Sequence, residues 1–399
     1  MDKPSMPVKL WSAGFAYLLA VGTISAISFG MIGPLIPGYA LSLGATLSSA
    51  GIVAGIFSFS ALVGRPFASA IGDRYNKKYI LIIFMFLNGF ATVLYTVAPN
   101  ITWLLPVRIL HGLIFAVSGT MNFALGAEFI PRERLAEGIG FIGITMIVGM
   151  AIGPNIGIYI LEHYSYHLCF MVSGGGIMLA SLVLAALKYK HIPRPKRTDG
   201  GVALRLNDLI AFELLPNALF AALLSIGTGL ASSYLVIFGS ERGIANIGLY
   251  FVVHAAVVIV TRPMIGRMTD RKGAKFAILP GYILAGAAMI VISMSYSLPP
   301  LLFAAVLFAI GAGGAFPAIQ TDCLKRLDIT RRTVATGTYL IGFDIGMTAG
   351  QTLGGVVSDI FDFRTAYAGA GVLMLMGFVC YFLYSKNQEN KNRLLSKSI

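Results

Sequence analysis

The sequence predicts an all-α membrane protein with twelve transmembrane helices in two pseudo-symmetric six-helix halves. Three observations predict it. Of 399 residues, 57% are hydrophobic and 12% are charged, whereas a typical soluble domain is about 25% charged. Apolar runs recur that reach the roughly 20 residues needed to cross a bilayer core. The landmarks of the first half also return in the second, Arg65-Pro66 as Arg262-Pro263 and Asp73-Arg74 as Asp270-Arg271. The spanning elements are helices, because nothing shows the alternating ten-residue rhythm of a barrel and lipid leaves other backbone unsatisfied.

In chain order, span 1 covers about 11–37, inside a stretch from Leu10 to Gly64 that carries no charge. Its start could pass for a signal peptide, but the run is of spanning length and the charge pattern needs it. Span 2 (45–71) ends in GRPFASAIGDRYNKK, where Arg65 lies eight residues before Asp73. Spans 3 to 6 cover 79–97, 102–128, 136–160 and 168–187. The segment KYKHIPRPKRTDGGVALRLND, with its prolines and glycines, reads as an irregular linker at 188–211. Spans 7 to 12 cover 212–238, 246–268, 276–296, 300–323, 334–358 and 364–384. The expected organisation is therefore a first half at 1–187, the linker, a second half at 212–385 and a tail at 386–399.

Charge fixes the orientation. With the N-terminus inside, 25 of the 30 Lys and Arg residues fall in cytoplasmic segments. Two, Arg242 and Arg364, fall outside, and three lie within spans: Arg65, Arg108 and Arg262. The positive-inside rule then places both termini in the cytoplasm of a plasma membrane, bacterial by expectation. A net charge of +13 would suggest nucleic acid in a soluble protein, but here the charges lie between apolar runs. Cys169, Cys323 and Cys380 show no CxxC spacing, so no disulfide framework, metal site or cofactor is expected. No GxxxxGK[ST] loop and no HExxH occurs, which argues against a pump or an embedded enzyme. The duplicated halves argue against a channel.

The repeat extends further. Gly140, Gly149, Gly153 and Gly157 match Gly337, Gly346, Gly350 and Gly354 at the same offset. Equal six-span halves have the same orientation and are related by an axis along the membrane normal. Transporters so built bind substrate near the midplane and rock around it.

These residues resemble the major facilitator superfamily. SAIGDRYNKK is similar to that family's loop G-x-x-x-D-R-x-G-x-K/R-K/R, with Ser69 and Asn76 in place of the glycines. Its copy GRMTDRKGAK keeps Gly266, Asp270, Arg271, Gly273 and Lys275. RILHG resembles the family's R-x-x-Q-G, with His111 in place of Gln. Gly149, Gly153-Pro154 and Gly157 resemble the motif of the drug/proton antiporter branch. The resemblance implies a gate-latch role for Asp73, Arg74, Asp270 and Arg271, and a seam between span 5 and span 8 at the glycines. More weakly, the Arg65-Pro66 pair of span 2 and the RxxxG pattern of span 4 resemble those of bacterial exporters of opine-type metallophores such as staphylopine.

Ionisable residues inside a membrane are costly and are functional candidates by default. Arg108, His111 and Asn122 share one face of span 4. Arg65 and Arg262 are either anion ligands or anchors that snorkel to the interface. Asp344 is the one acid near a bilayer centre; Glu128, Glu213 and Asp322 read as boundary residues. Span 1 carries no acid. The interior therefore leans positive, which favours an anionic or zwitterionic carboxylate solute. Proton coupling is expected through Asp344, or through His111 or His254, since histidine titrates near physiological pH. The sequence thus leads to a proton-coupled, monomeric exporter of a small organic solute, leaning to carboxylates. A multidrug/proton antiporter, or an importer or uniporter of an organic anion or sugar, is the alternative.

Overall fold

The computed structural model describes residues 10–131, 135–189, 211–327 and 332–397. Side chains are described for all of these except 66, 69–74, 135–137, 139–140, 270, 332–333 and 389–397. The expected linker and the gate-loop side chains of Asp73, Arg74 and Asp270 therefore lie outside the described residues, apart from a few linker-edge positions.

The described chain is helical throughout. Helix α1 (Ala13–Ile32) passes through a 3-10 turn at Gly33–Leu35 into α2 (Ile36–Ser42). Then follow α3 (Leu47–Arg74), α4 (Lys77–Val93), α5 (Ile101–Glu128), α6 (Leu135–His163) and α7 (Tyr166–Ala185). The second series is α8 (Leu215–Glu241), α9 (Leu249–Lys272), α10 (Lys275–Ser293), α11 (Leu298–Arg326), α12 (Arg332–Ile360) and α13 (Phe363–Lys397). With α1 and α2 counted as one span, there are twelve long helices. The first span runs on to Ser42, beyond the expected end near 37. Pro37 is the second residue of α2, where a missing N–H breaks no intrahelical bond.

Among the described residues, eleven of these spans are long and apolar enough to cross a membrane. The exception is α12, which is 29 residues long but carries Asp344, Gln351 and six glycines. Several helix starts are capped as their sequences predict. Ser12 accepts from the Phe15 N–H at 3.1 Å, Asn100 from Trp103 at 3.1 Å and Ser165 from Leu168 at 3.3 Å. The repeat is visible in the helix ends. Positions 135, 163 and 166 return as 332, 360 and 363, each 197 residues later.

The chain forms two compact units. One comprises Met1–Leu35 with Ser60–Gly200, the other Ile36–Phe59 with Gly201–Ile399. Helix α3 passes from the second unit into the first at Ser60.

In the first unit, α1 lies directly against α6. A Cβ added at Gly149 would stand 2.5 Å from the Ala26 carbonyl oxygen, one at Gly153 2.6 Å from that of Ile27, and one at Gly157 2.5 Å from that of Met31. Only glycine permits this approach, as small residues do in membrane helix pairs. The glycine edge expected to face span 8 is thus occupied by span 1. The same device recurs in the second unit, where Gly342, Gly346 and Gly350 meet the backbone of Ala218, Ala222 and Ile226 on α8. Helices α4 and α7 pack through Gly89 and Gly174, where a Cβ on either would stand 2.5 Å from the other's carbonyl oxygen. Leu81, Met121, Leu125, Ala180 and Leu184 fill the core beside them.

Within the second unit, the segment Ile36–Phe59 packs on α8 and α12. Ser48 donates to Asp359 at 2.6 Å, Ser58 to Gln351 at 3.1 Å, and a Cβ on Gly51 would lie 2.8 Å from the Gln351 carbonyl oxygen.

Candidate functional site

In the first unit five polar residues, Asn88, Tyr95, Arg108, His111 and Ser118, converge. Arg108, 6% exposed, and His111, fully buried, stand one turn apart on α5. Arg108 Nη1 donates to the Tyr95 hydroxyl at 3.2 Å, and that hydroxyl is hydrogen-bonded to His111 Nδ1 at 2.5 Å. His111 Nε2 meets Asn88 Oδ1 of α4 at 2.9 Å, and Asn88 Nδ2 donates to Ser118 at 3.3 Å. The Arg108 guanidinium also lies 5.9 Å from the centre of the Tyr95 ring, close enough for a cation–π contact.

The local sequence explains the placement. Offsets of three and ten put His111 and Ser118 on the Arg108 side of α5. Asn88 is the lone amide within the apolar run of α4. Tyr95 lies in the 3-10 turn Leu94–Val97 that closes that span, which brings its ring back over α5.

Asn122, expected to share this face, is half-buried nearly four turns further along α5. It and Thr145 of α6 border Gly22 of α1, 4.0 and 3.8 Å from where a Cβ would be. Arg65 is half-buried on α3, beside Gly64. There a Cβ would stand 2.8 Å from Ala116 of α5, so the helix that carries Arg65 runs close against the helix that carries Arg108.

In the second unit, Arg262 is exposed on α9. It lines a shallow cleft against α11 with Thr269, Gly313, Pro317 and Thr321. Asp344 on α12 is buried, 7% exposed. Tyr339, five residues before Asp344 on the same helix, is buried as well, 6% exposed. His254 is half-buried; it stacks on Tyr250, with ring centres 6.3 Å apart, and faces Phe308 at 5.8 Å.

Each unit also carries a polar clasp at the end bearing its basic loop. In the first unit Lys77, at the start of α4, is paired with Glu128 at the end of α5. Tyr189 donates to the other carboxylate oxygen at 2.5 Å, and Lys78 donates to the Ala185 carbonyl at 2.8 Å. In the second unit Asp322 accepts from Asn217 at 2.7 Å and from Arg326 at 2.9 Å, and Arg326 reaches Tyr384 at 3.0 Å. Glu128, read from sequence as a boundary residue, thus joins the start of α4 and the end of α5 to the segment after α7, and Asp322, read likewise, joins the start of α8 to the end of α11, whose Arg326 reaches Tyr384 within α13.

The two copies of the basic loop differ in their backbone. Gly273 adopts φ of +89°, a conformation that favours glycine. Its counterpart Asn76 sits at φ −67° and caps α4 through the Lys78 N–H, so the glycine lost from the first copy is not needed there. Arg271 is exposed.

Sequence reasoning missed Tyr95, Asn88, Ser118 and Tyr339. An amide alone in an apolar span was a usable signal for Asn88. Nothing in the sequence distinguished Tyr95 or Tyr339 from other membrane tyrosines.

Among the described residues, no group of three or more His, Cys, Asp or Glu stands in metal-binding arrangement. Within the first unit the clustered polar groups are a buried guanidinium, an imidazole, an amide and two hydroxyls, and within the second they are an exposed guanidinium and a buried carboxyl.

Comparison with known proteins agrees with this architecture. The Major Facilitator Superfamily profile matches residues 18–245 and 218–398. The chain is 26% identical over 392 residues to the multidrug resistance protein MdtG of Escherichia coli, with 93% of each chain covered. It is 23% identical over 381 residues to an uncharacterized MFS-type transporter of Methanocaldococcus jannaschii, covering 93% of this chain and 96% of that one. Among solved structures, a variant of the nucleoside transporter NupG superposes with a TM-score of 0.79 at 14% identity, covering 92% of this chain and 100% of the other. A bacterial homolog of the human lysosomal transporter Spinster superposes with a TM-score of 0.77 at 17% identity, covering 94% and 96%. At these identities the superpositions show the shared fold. Twelve long helices, a repeat visible in the helix ends and a profile match along nearly the whole chain lead to one conclusion: this multi-pass membrane protein belongs to the Major Facilitator Superfamily and is a secondary transporter, not an enzyme.

Proposed function

We propose that the chain is a proton-coupled exporter of small organic solutes, of the drug-resistance kind, working by alternating access in a bacterial plasma membrane with both termini in the cytoplasm. The similarity to MdtG over 93% of both chains carries this reading, and moves it from the carboxylate metallophore towards drug export. Asp344, the buried acid of α12, is the favoured proton carrier. Both ring nitrogens of His111 are already engaged, and His254 is held among aromatic rings. Arg108, with Arg65 and Arg262, would select solutes that carry an acidic group. The basic loops around Asp73-Arg74 and Asp270-Arg271 would act as latches that open and close with the cycle.

The test is expression in a bacterial host stripped of its own drug exporters. Tolerance is scored against a panel of cationic, neutral and anionic compounds. The reading expects raised tolerance to several of them, lost in Asp344→Asn. Unchanged tolerance to every compound would count against export.

One observation favours a narrower, anionic substrate. The ionisable residues inside the spans include three arginines and a single central acid, and a guanidinium is well suited to a carboxylate. If untargeted comparison of spent medium shows a carboxylate-rich product exported by cells that carry the gene, the metallophore-type substrate is the better reading.

A further inference from the structure

The polar chain below Arg108 has a direction. A guanidinium only donates, so Arg108 Nη1 gives its hydrogen to the Tyr95 oxygen, 3.2 Å away. The buried hydroxyl hydrogen of Tyr95 needs an acceptor of its own, and His111 Nδ1 faces it at 2.5 Å. A ring nitrogen that accepts carries no hydrogen, so the ring hydrogen sits on Nε2, which donates to Asn88 Oδ1 at 2.9 Å. That sets the Asn88 amide, whose nitrogen donates to Ser118 at 3.3 Å. Ser118 in turn donates to the Phe115 carbonyl at 3.1 Å. With the Tyr95 hydrogen given to His111, every link down to the backbone of α5 runs in one direction.

The rings are held as well. Tyr95 packs edge-on to Phe170 of α7, with centroids 5.4 Å apart, and Phe29 of α1 stands edge-on to His111 at 6.1 Å and stacks on Phe115 at 4.7 Å. Tyr95, His111, Asn88 and Ser118 are all at most 6% exposed. His111 stands where the resembled pattern R-x-x-Q-G has glutamine. A glutamine amide carries one acceptor and one donor on the same end. The imidazole offers one of each on opposite edges, and so bridges Tyr95 on one side and Asn88 on the other.

On the reading of Arg108 as an anion ligand, we infer that Tyr95 is a positioning residue. It aims the guanidinium, and His111, Asn88 and Ser118 anchor it. An arginine already aimed loses less freedom when a carboxylate docks. His111 in this arrangement is a strut of fixed tautomer between two helices.

The deciding experiment is ¹⁵N NMR of histidine-labelled protein in lipid bilayers. Of the five histidines, His111 is assigned by its loss in His111→Gln. The wild type should show the Nε2–H tautomer for His111. Tyr95→Phe, which removes the hydroxyl and keeps the ring, should shift its Nδ1 resonance and leave the other histidines in place. An Nδ1–H tautomer, or a resonance unmoved in Tyr95→Phe, would overturn the inference.

A second arm reads Arg108 through carboxyfluorescein efflux from proteoliposomes. Tyr95→Phe should raise KM about tenfold, the scale of one hydrogen bond to a charged group, with turnover within about twofold. His111→Gln, which keeps a donor and an acceptor but on one end only, should raise KM less than His111→Leu, which keeps neither. If Arg108→Ala carries the dye like wild type, the anion-ligand reading fails while the NMR pattern stands. If Arg108→Ala is inactive but Tyr95→Phe has wild-type KM, the positioning role fails alone. If wild-type protein does not carry the dye, the NMR result decides.

Discussion

Glu128→Gln should loosen the basic end of the first unit. Glu128 joins α4 to the segment after α7, through Lys77 on one oxygen and Tyr189 on the other. The Lys77 and Glu128 side chains are 7% and 18% exposed. Glutamine keeps one acceptor, but its NH₂ replaces the other, so one donor loses its partner and Lys77 loses its counter-charge. Two unit charges at about 4 Å attract by about 4 kcal/mol at an effective dielectric of about 20. The lysine can recover part of this by reaching toward water, and the cost of desolvating a largely buried pair offsets part of the attraction. The net cost should therefore be about 2 kcal/mol.

Cys169 in the first unit and Cys323 in the second are buried thiols, and Cys380 is exposed. Maleimide labelling resolved by mass spectrometry reports the opening of each unit separately. Glu128→Gln should raise the labelling rate of Cys169 about thirtyfold, the equivalent of 2 kcal/mol, with little change at Cys323. Lys77→Met should cost less, because the more exposed carboxylate can rehydrate and keeps Tyr189. The double variant should show a coupling energy of about 1–2 kcal/mol. A change below about threefold at Cys169 in Glu128→Gln would refute the claim that this pair holds the helix ends together.

Other substitutions probe the packing and the charges. Gly153→Val should lower stability by about 1–3 kcal/mol, because even a Cβ would stand 2.6 Å from the Ile27 carbonyl oxygen. Gly119→Ala, where a Cβ meets nothing within 4 Å, should be neutral or stabilising by up to about 1 kcal/mol; thermal unfolding in detergent compares the two. Arg65→Lys and Arg262→Lys keep charge and lose the fork, so transport should fall if these residues bind carboxylate and hold steady if they snorkel to the interface. Asp344→Asn should abolish transport driven by a pH gradient while leaving solute exchange measurable, and full pH-driven transport in that variant would remove Asp344 from proton coupling.

Much of the fold was legible because the bilayer restricts the choices. Apolar run length gave the helices, and the polar segments between runs gave their approximate limits. Even the glycine ridge of α6 was visible as a row of small residues. Its partner was not, because a ridge of glycines does not name the helix that fills it; in the structure it is α1. Likewise, α12 shows how a spanning helix departs from the apolar rule when it carries a buried acid and many glycines.

The candidate site was legible only in part. Arg108 and His111 stood out as costly residues in an apolar run. Their partners did not, because Tyr95 and Asn88 reach them from another span, 16 and 23 residues before His111 in the chain. Such contacts depend on how each helix is rotated about its axis, which periodicity leaves open. Lys77 and Glu128, 51 residues apart, meet for the same reason. The second basic loop kept the glycine its backbone needs at Gly273, whereas Asn76 shows that the first copy solved the same turn with a cap.

Proton-coupled export requires that solute and protons cross in opposite directions. Purified protein is placed in proteoliposomes with a pH-sensitive dye in the lumen. A solute to which the protein confers tolerance is then added outside. Antiport predicts that solute entry drives protons out, so the lumen becomes more alkaline as the solute accumulates, and that Asp344→Asn abolishes both signals. Solute accumulation with an unchanged or more acidic lumen would rule out proton antiport.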